Sequence, residues 1–196
     1  MKMVGLGSYK PKIKTGNEYI KYNGKSTEFK LKDFWKWSTS DLLSNTTRGK
    51  YAEFIVAMAL DIKLNDVRDE WGDFDLETKD KIRIEVKTSS YLQTWYQENY
   101  SKIKFSIKRK NEKYLKNNEL NRPSDFYIFC LLNHKDKKTV EPLNMDQWIF
   151  YILSTKEINK LFKNINSISL KTLNEITCSL KFNEIKDKIY NEYKIL

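Results

Sequence analysis

Two alternating runs, Phe74–Thr78 and Ile82–Thr88, are separated by Lys79-Asp80-Lys81, and together they constrain the fold more than any other feature. A strand alternates its side chains between two faces, so Phe74 and Leu76 share one face, as do Ile84 and Val86 on the partner. Hairpin partners must match faces, which makes the register decidable. A two-residue turn at Lys79-Asp80 sets Asp75 opposite Ile84 and mixes polar with apolar. A three-residue loop pairs Phe74 with Val86 and Leu76 with Ile84. It then sets Asp75 opposite Glu85, Asp73 opposite Lys87 and Glu77 opposite Arg83.

The second register has a chemical consequence. It brings the Cβ atoms of Asp75 and Glu85 to roughly 5 Å, with Lys87 two residues along. Carboxylates that close repel unless a cation or a shared proton relieves them. A hard, oxygen-seeking ion such as Mg2+ suits the pair, and the ammonium beside it can position or deprotonate water. A solvated strand face laced with salt bridges is the plainer reading of the same spacing. The preceding segment weighs against it. Residues 48–60 keep helical spacing through Phe54, Ile55, Met58 and Ala59, with Thr46 or Thr47 as cap, and they carry one acidic residue, Glu53, in an apolar centre. A carboxylate there is costly unless it faces a metal, a base or water. Gly49, Lys50, Glu53 and Ala57 share a helical face.

Around this centre the pattern predicts a short helix through Asp41, Leu42 and Leu43, capped by Ser38 or Ser40. It predicts strands at Ile103–Ile107, Phe126–Leu132 and Trp148–Leu153, the last two buried on both faces, and a helix after Thr155. The order implies a mixed α/β fold. Residues 1–30 read as loops or a short edge element within an N-terminal extension, 1–45, packed on the core; 46–165 read as the core and 166–196 as a C-terminal extension, one compact domain in all. No apolar run reaches the ~18 residues of a membrane span, and MKMVGLGSYKPKIK lacks the apolar stretch of a signal peptide. Cys130 sits in an apolar run and reads as a reduced core thiol, so a cytoplasmic location is expected.

An acidic helix, then Gly72-Asp73-Phe74-Asp75-Leu76, then a hairpin into Glu85-Val86-Lys87-Thr88 resembles the PD-(D/E)xK nuclease superfamily, which includes many restriction endonucleases. The resemblance covers roughly residues 46–153. It implies a restriction-endonuclease-like α/β core, a mixed β-sheet flanked by helices, and a Mg2+-dependent DNA endonuclease in which Mn2+ can substitute. Carried over by position, Asp75 and Glu85 bind metal, Lys87 orients or activates the attacking water, and Glu53 completes the metal shell. No Pro precedes the aspartate, so Asp73 also competes for its place; Asp75 is preferred because it faces Glu85. Gln93 and Gln97 are auxiliary candidates, because similar nucleases often use a polar residue after this strand. The class implies double-stranded DNA as partner, a homodimer with one site per strand, and a cognate methyltransferase.

Net charge is +10, from 36 Lys and Arg against 26 Asp and Glu. Two readings stand: a polyanionic partner, or the Lys- and Asn-rich usage of an AT-rich genome. Lys102, Lys104, Lys108 and Arg109 partly alternate with Ile103, Phe105 and Ile107, which makes one strand face basic; Arg48 and Lys50 extend it beside the helix. Most of the five tryptophans read as core or interface anchors. One His and two distant Cys exclude a zinc constellation, and no phosphate-cradling GxxxxGK[ST] loop is present. The competing function is a catalytically silent DNA-binding or assembly subunit with the same fold; RNA and branched DNA remain open as substrates.

Overall fold

Residue 7 and residues 9–111 and 120–195 are described by the structure, a computed structural model. They form two compact units, one from the described residues up to Ser40 with Lys63–Glu70, the other from Asp41–Ile62 and Trp71 onward. In the first, strands β1 (Tyr19–Tyr22) and β2 (Lys25–Lys30) make an antiparallel hairpin, followed directly by helix α1 (Leu31–Thr39). The hairpin turns at Asn23-Gly24, both at positive φ, the two-residue turn whose twist suits paired strands. Loops or a short edge element are expected over residues 1–30, and a helix through Asp41–Leu43; the hairpin is that short element, its two strands paired to each other. The helix instead begins at Leu31, because Asp33 Oδ2 accepts a bond from the Lys30 N–H at 2.8 Å and caps it there.

The second unit opens with helix α2 (Asn45–Ala59). Its buried face is Ala52, Ile55, Val56 and, just beyond its end, Leu60, while Phe54 and Met58 are exposed. From Tyr51 on, the helix is apolar on every side except at Glu53, so size misleads; Ala52 and Ala57 are buried beside Ile55 and Val56 while the larger Phe54 and Met58 stay out. Strand β3 (Leu76–Glu77) then pairs with β4 (Arg83–Ser90) in the three-residue-loop register, Leu76 opposite Ile84 and Glu77 opposite Arg83. Thr78 N–H bonds the Ile82 carbonyl and Lys81 sits at φ +65°, the left-handed position that such a loop uses. Glu77, opposite Arg83 as the register requires, pairs with Lys81, and Arg83 pairs with Asp125 at 3.0 Å.

Next come β5 (Lys104–Ser106), β6 (Lys110–Asn111) paired with β7 (Leu120–Asn121), β8 (Phe126–Leu132) and β9 (Trp148–Ser154). Then α3 (Thr155–Leu161), β10 (Ser167–Ser169), α4 (Leu170–Ile176) and α5 (Ile185–Tyr193) complete the chain. The principal sheet has the order β3-β4-β8-β9, with β4 and β8 parallel and the outer pairs antiparallel. The fold is thus mixed α/β with a mixed sheet and flanking helices. Helix α3 is capped by Ser154 rather than Thr155, through a reciprocal Ser154–Glu157 capping box.

Strands β8 and β9 are apolar on both faces because each face carries a core. Ile84, Val86, Phe126, Ile128, Cys130, Trp148 and Phe150 pack against α2 and α5. Tyr127, Phe129, Leu131, Tyr151 and Leu153 pack on the other side against Ile103, Phe105, Ile107, Ile158, Ile168 and Leu173. The C-terminal residues are therefore part of both cores. Trp148 alone of the tryptophans is buried. Arg122, buried beneath the second core, donates to the Ile107 carbonyl at 2.8 Å and to Asn159 Oδ1 at 2.5 Å. Replacing Arg122 with Met strands those acceptors, and should lower stability by about 3 kcal/mol, read as an earlier midpoint in urea unfolding.

Candidate active site

Strand β3 joins the ladder only at Leu76, and ahead of it a side chain takes over where the backbone pairing is missing. Asp75 N–H still bonds the Ile84 carbonyl at 3.0 Å. Its carboxylate Oδ2 then accepts the Val86 N–H at 2.7 Å, filling the place of the missing ladder carbonyl. This clamps Asp75 to the edge of β4 beside Glu85, as the hairpin register requires. Asp73 lies further out in the segment ahead of β3.

Glu85 is 0% exposed. Its neighbour in the parallel register is Tyr127, and that of Lys87 is Phe129, so both polar side chains share the face that carries the second core. Lys87 Nζ donates to Glu85 Oε1 at 2.5 Å, and Ser124 Oγ lies 3.4 Å from Oε2. Glu53, on α2, is 9% exposed. Burial first, and then the charges of Glu85 and Glu53, push Asp75 up to about 6; Lys87 and the Val86 N–H pull it down, and lose. Burial and the Glu85 charge likewise raise the Tyr127 phenol, and burial raises the Cys130 thiol, which is inert in the core.

The site therefore gathers the carboxylates of Asp75, Glu85 and Glu53 around the Lys87 ammonium, and Asp75 responds by holding its proton well above the usual carboxylate range. Asp75 and Glu85 form a pair of hard oxygen donors. Among the described residues, however, no group of three or more His, Cys, Asp or Glu is arranged to hold a metal ion, so Glu53 does not close a three-ligand cage. Two carboxylates are a fitting donor set for Mg2+, which retains waters and takes substrate phosphate oxygens in preference to an all-protein cage.

Other expected residues fall elsewhere. Arg48 is 3% exposed, and it donates to the Leu43 carbonyl at 2.5 Å and Asn45 Oδ1 at 2.6 Å; it staples the start of α2 instead of extending a basic surface. Gln93 and Gln97 brace the loop after β4: Gln97 Oε1 accepts the Gln93 N–H at 2.6 Å, and both amides reach Ser101 Oγ at 3.1 Å. Lys50, Lys102, Lys104 and Lys108 are exposed and Arg109 is half-buried, while Ile103, Phe105 and Ile107 point inward, so the basic face of this strand is real. Ser124 and Tyr127 were not singled out in the sequence. They reach Glu85 only because β8 lies parallel to β4, a long-range pairing that no local pattern encodes.

The sequence model of the bacteriophage T4 endonuclease IV family matches residues 9–172. The chain belongs to that family. The match contains Glu53, Asp75, Glu85 and Lys87, and covers parts of both compact units of this endonuclease IV family member, ending before α5. It identifies a nuclease family without extending to the wider superfamily that the hairpin resembles. No curated protein and no solved structure matches the chain.

The raised Asp75 pKa has a definite sign for stability. Between about pH 4 and 6 the folded state holds a proton that the unfolded chain has released, so this contribution is complete below 4 and is lost as pH rises to 6. Asp75→Asn keeps an acceptor for Val86 but carries no charge. It should stabilise the metal-free protein at pH 8 by about 2 kcal/mol and leave it unchanged at pH 4, as measured by urea unfolding at both values.

Proposed function

We propose that the family member described here is a Mg2+-dependent DNA endonuclease of the PD-(D/E)xK type, with Asp75 and Glu85 holding the cation and Lys87 serving the attacking water. The observation that carries this is half-buried Asp75, held on the Val86 N–H of β4 next to buried Glu85, with the Lys87 ammonium bonded to Glu85, in a chain of an endonuclease family. Bound there, the cation supplies Lewis-acid charge to a phosphate oxygen and lowers the pKa of water.

The chain's own groups do the positioning. The Val86 N–H fixes one oxygen of Asp75 and leaves the other available. Ser124 and Lys87 fix Glu85 from two sides. Lys87 is half-buried, so its remaining N–H groups can hold a water or a non-bridging phosphate oxygen in line with the scissile bond, stabilising charge as it develops. Glu53 adds negative charge behind the pair and so favours a cation over a shared proton. The reading includes double-stranded DNA as substrate, two copies of the chain acting on its two strands, and a restriction-type role alongside a methyltransferase.

Cleavage of supercoiled plasmid in Mg2+ or in EDTA tests it. Nicking or linearisation is expected with Mg2+ or Mn2+ and none with EDTA. Asp75→Ala and Lys87→Ala should each lose about a hundredfold or more in rate while still binding DNA. A wild type that binds DNA but cuts under no divalent metal overturns the enzyme and favours the silent binding subunit.

A further inference from the structure

The hairpin–helix unit is compact but has almost no interior. Gly16 is its one buried residue among those described. Hydrogen bonds hold it together: Leu31 N–H to the Glu18 carbonyl and Lys32 N–H to the Gly16 carbonyl, both 2.9 Å, tie the chain before β1 to α1. Gly16, at φ +84°, lies directly under the Trp35 ring, where any Cβ would come within 2.7 Å of it. The result is a fixed mount whose large side chains face outward. Tyr22 at the hairpin tip is 74% exposed and Trp37 on α1 is 84% exposed.

An aromatic surface of this kind marks a contact site, and its charge decides the partner. From Tyr9 to Ser40 there are eight lysines and three acidic residues, and Lys63–Glu70, the other segment of the unit, adds two basic and three acidic ones, so the unit stays basic with its surplus on the hairpin and helix. Lys21 and Lys25 flank the Asn23-Gly24 tip, and Lys36 lies next to Trp37 on α1. A second copy of the chain would bring like charge onto like charge, whereas nucleic acid complements both features: phosphates for the lysines, sugars and bases for the rings. A two-stranded ribbon is also narrow enough to enter a DNA groove. The family match begins at Tyr9, so this unit lies within the span that defines the endonuclease family.

We propose that the N-terminal hairpin–helix unit is a DNA-gripping module, with Lys21 and Lys25 on the phosphate backbone and Tyr22 and Trp37 against sugars and bases. This rests on DNA being the substrate, as proposed above. The module supplies affinity, while Asp75, Glu85 and Lys87 supply the chemistry.

Binding of the full chain to a fluorescent duplex oligonucleotide, followed by anisotropy in EDTA from 50 to 200 mM salt, tests it. Lys21→Gln/Lys25→Gln should reduce the slope of log affinity against log salt by about 1.8, which corresponds to two phosphate contacts. Tyr22→Ala/Trp37→Ala should weaken binding about fivefold or more with the slope unchanged. All four side chains are outside both cores, so unfolding midpoints should match wild type. Asp75→Ala, which should lose cleavage, should keep the wild-type salt slope in EDTA, which separates this test from that of the active site. An unchanged slope and affinity in both variants overturns the proposal, as does a wild type that binds no DNA at 50 mM salt. Loss of self-association in Tyr22→Ala/Trp37→Ala with DNA affinity intact overturns it in favour of a contact between copies.

Discussion

Repulsion between the carboxylates of Asp75 and Glu85 is the constraint on which the functional centre depends. Two negative groups do not approach one another in a half-dry environment unless the backbone forces them together. Here the force is the hairpin register, fixed by a three-residue loop with Lys81 in the left-handed region. The Val86 N–H then holds Asp75 at the strand edge. Burial first, and the Glu85 charge second, leave a carboxyl group that retains its proton up to about pH 6.

The two cores make that arrangement rigid. Strand β4 is clamped along its length by β8, whose seven residues are all buried, and β8 is clamped in turn by β9. Helix α2 lies against one face of the sheet and carries Glu53; the second core covers the other and supplies Tyr127 beside Glu85. Scaffold and site are thus coupled through single residues. Ser124 touches Glu85 through its hydroxyl, and its carbonyl accepts from Thr155 at the start of α3.

The parts of this centre that follow from local alternation were legible in the residues themselves. The apolar partners Leu76 and Ile84 admitted one register, and that register put Asp75 beside Glu85. The outward lysines of β5 were legible for the same reason. What depended on distant pairing was not: the parallel placement of β8, the capture of Arg83 by Asp125, and the Gln93–Gln97 brace all join residues whose proximity arises only in the folded chain. Arg48 shows the opposite failure, a residue whose charge reads as surface while its guanidinium is enclosed by Leu43 and Asn45. The exposed tryptophans fail similarly, because aromatic content alone does not distinguish a core from a contact surface.

If the Asp75–Glu85 pair is a cation seat, then binding a divalent ion must displace the proton that Asp75 holds. Calorimetric titration with Mn2+ at pH 6, in two buffers of different ionisation heat, measures that directly. The account predicts release of about half a proton per bound ion in the wild type, and weaker binding with no release in Asp75→Asn. Mn2+ binding of equal strength in both proteins, or binding without proton release in the wild type, would contradict it.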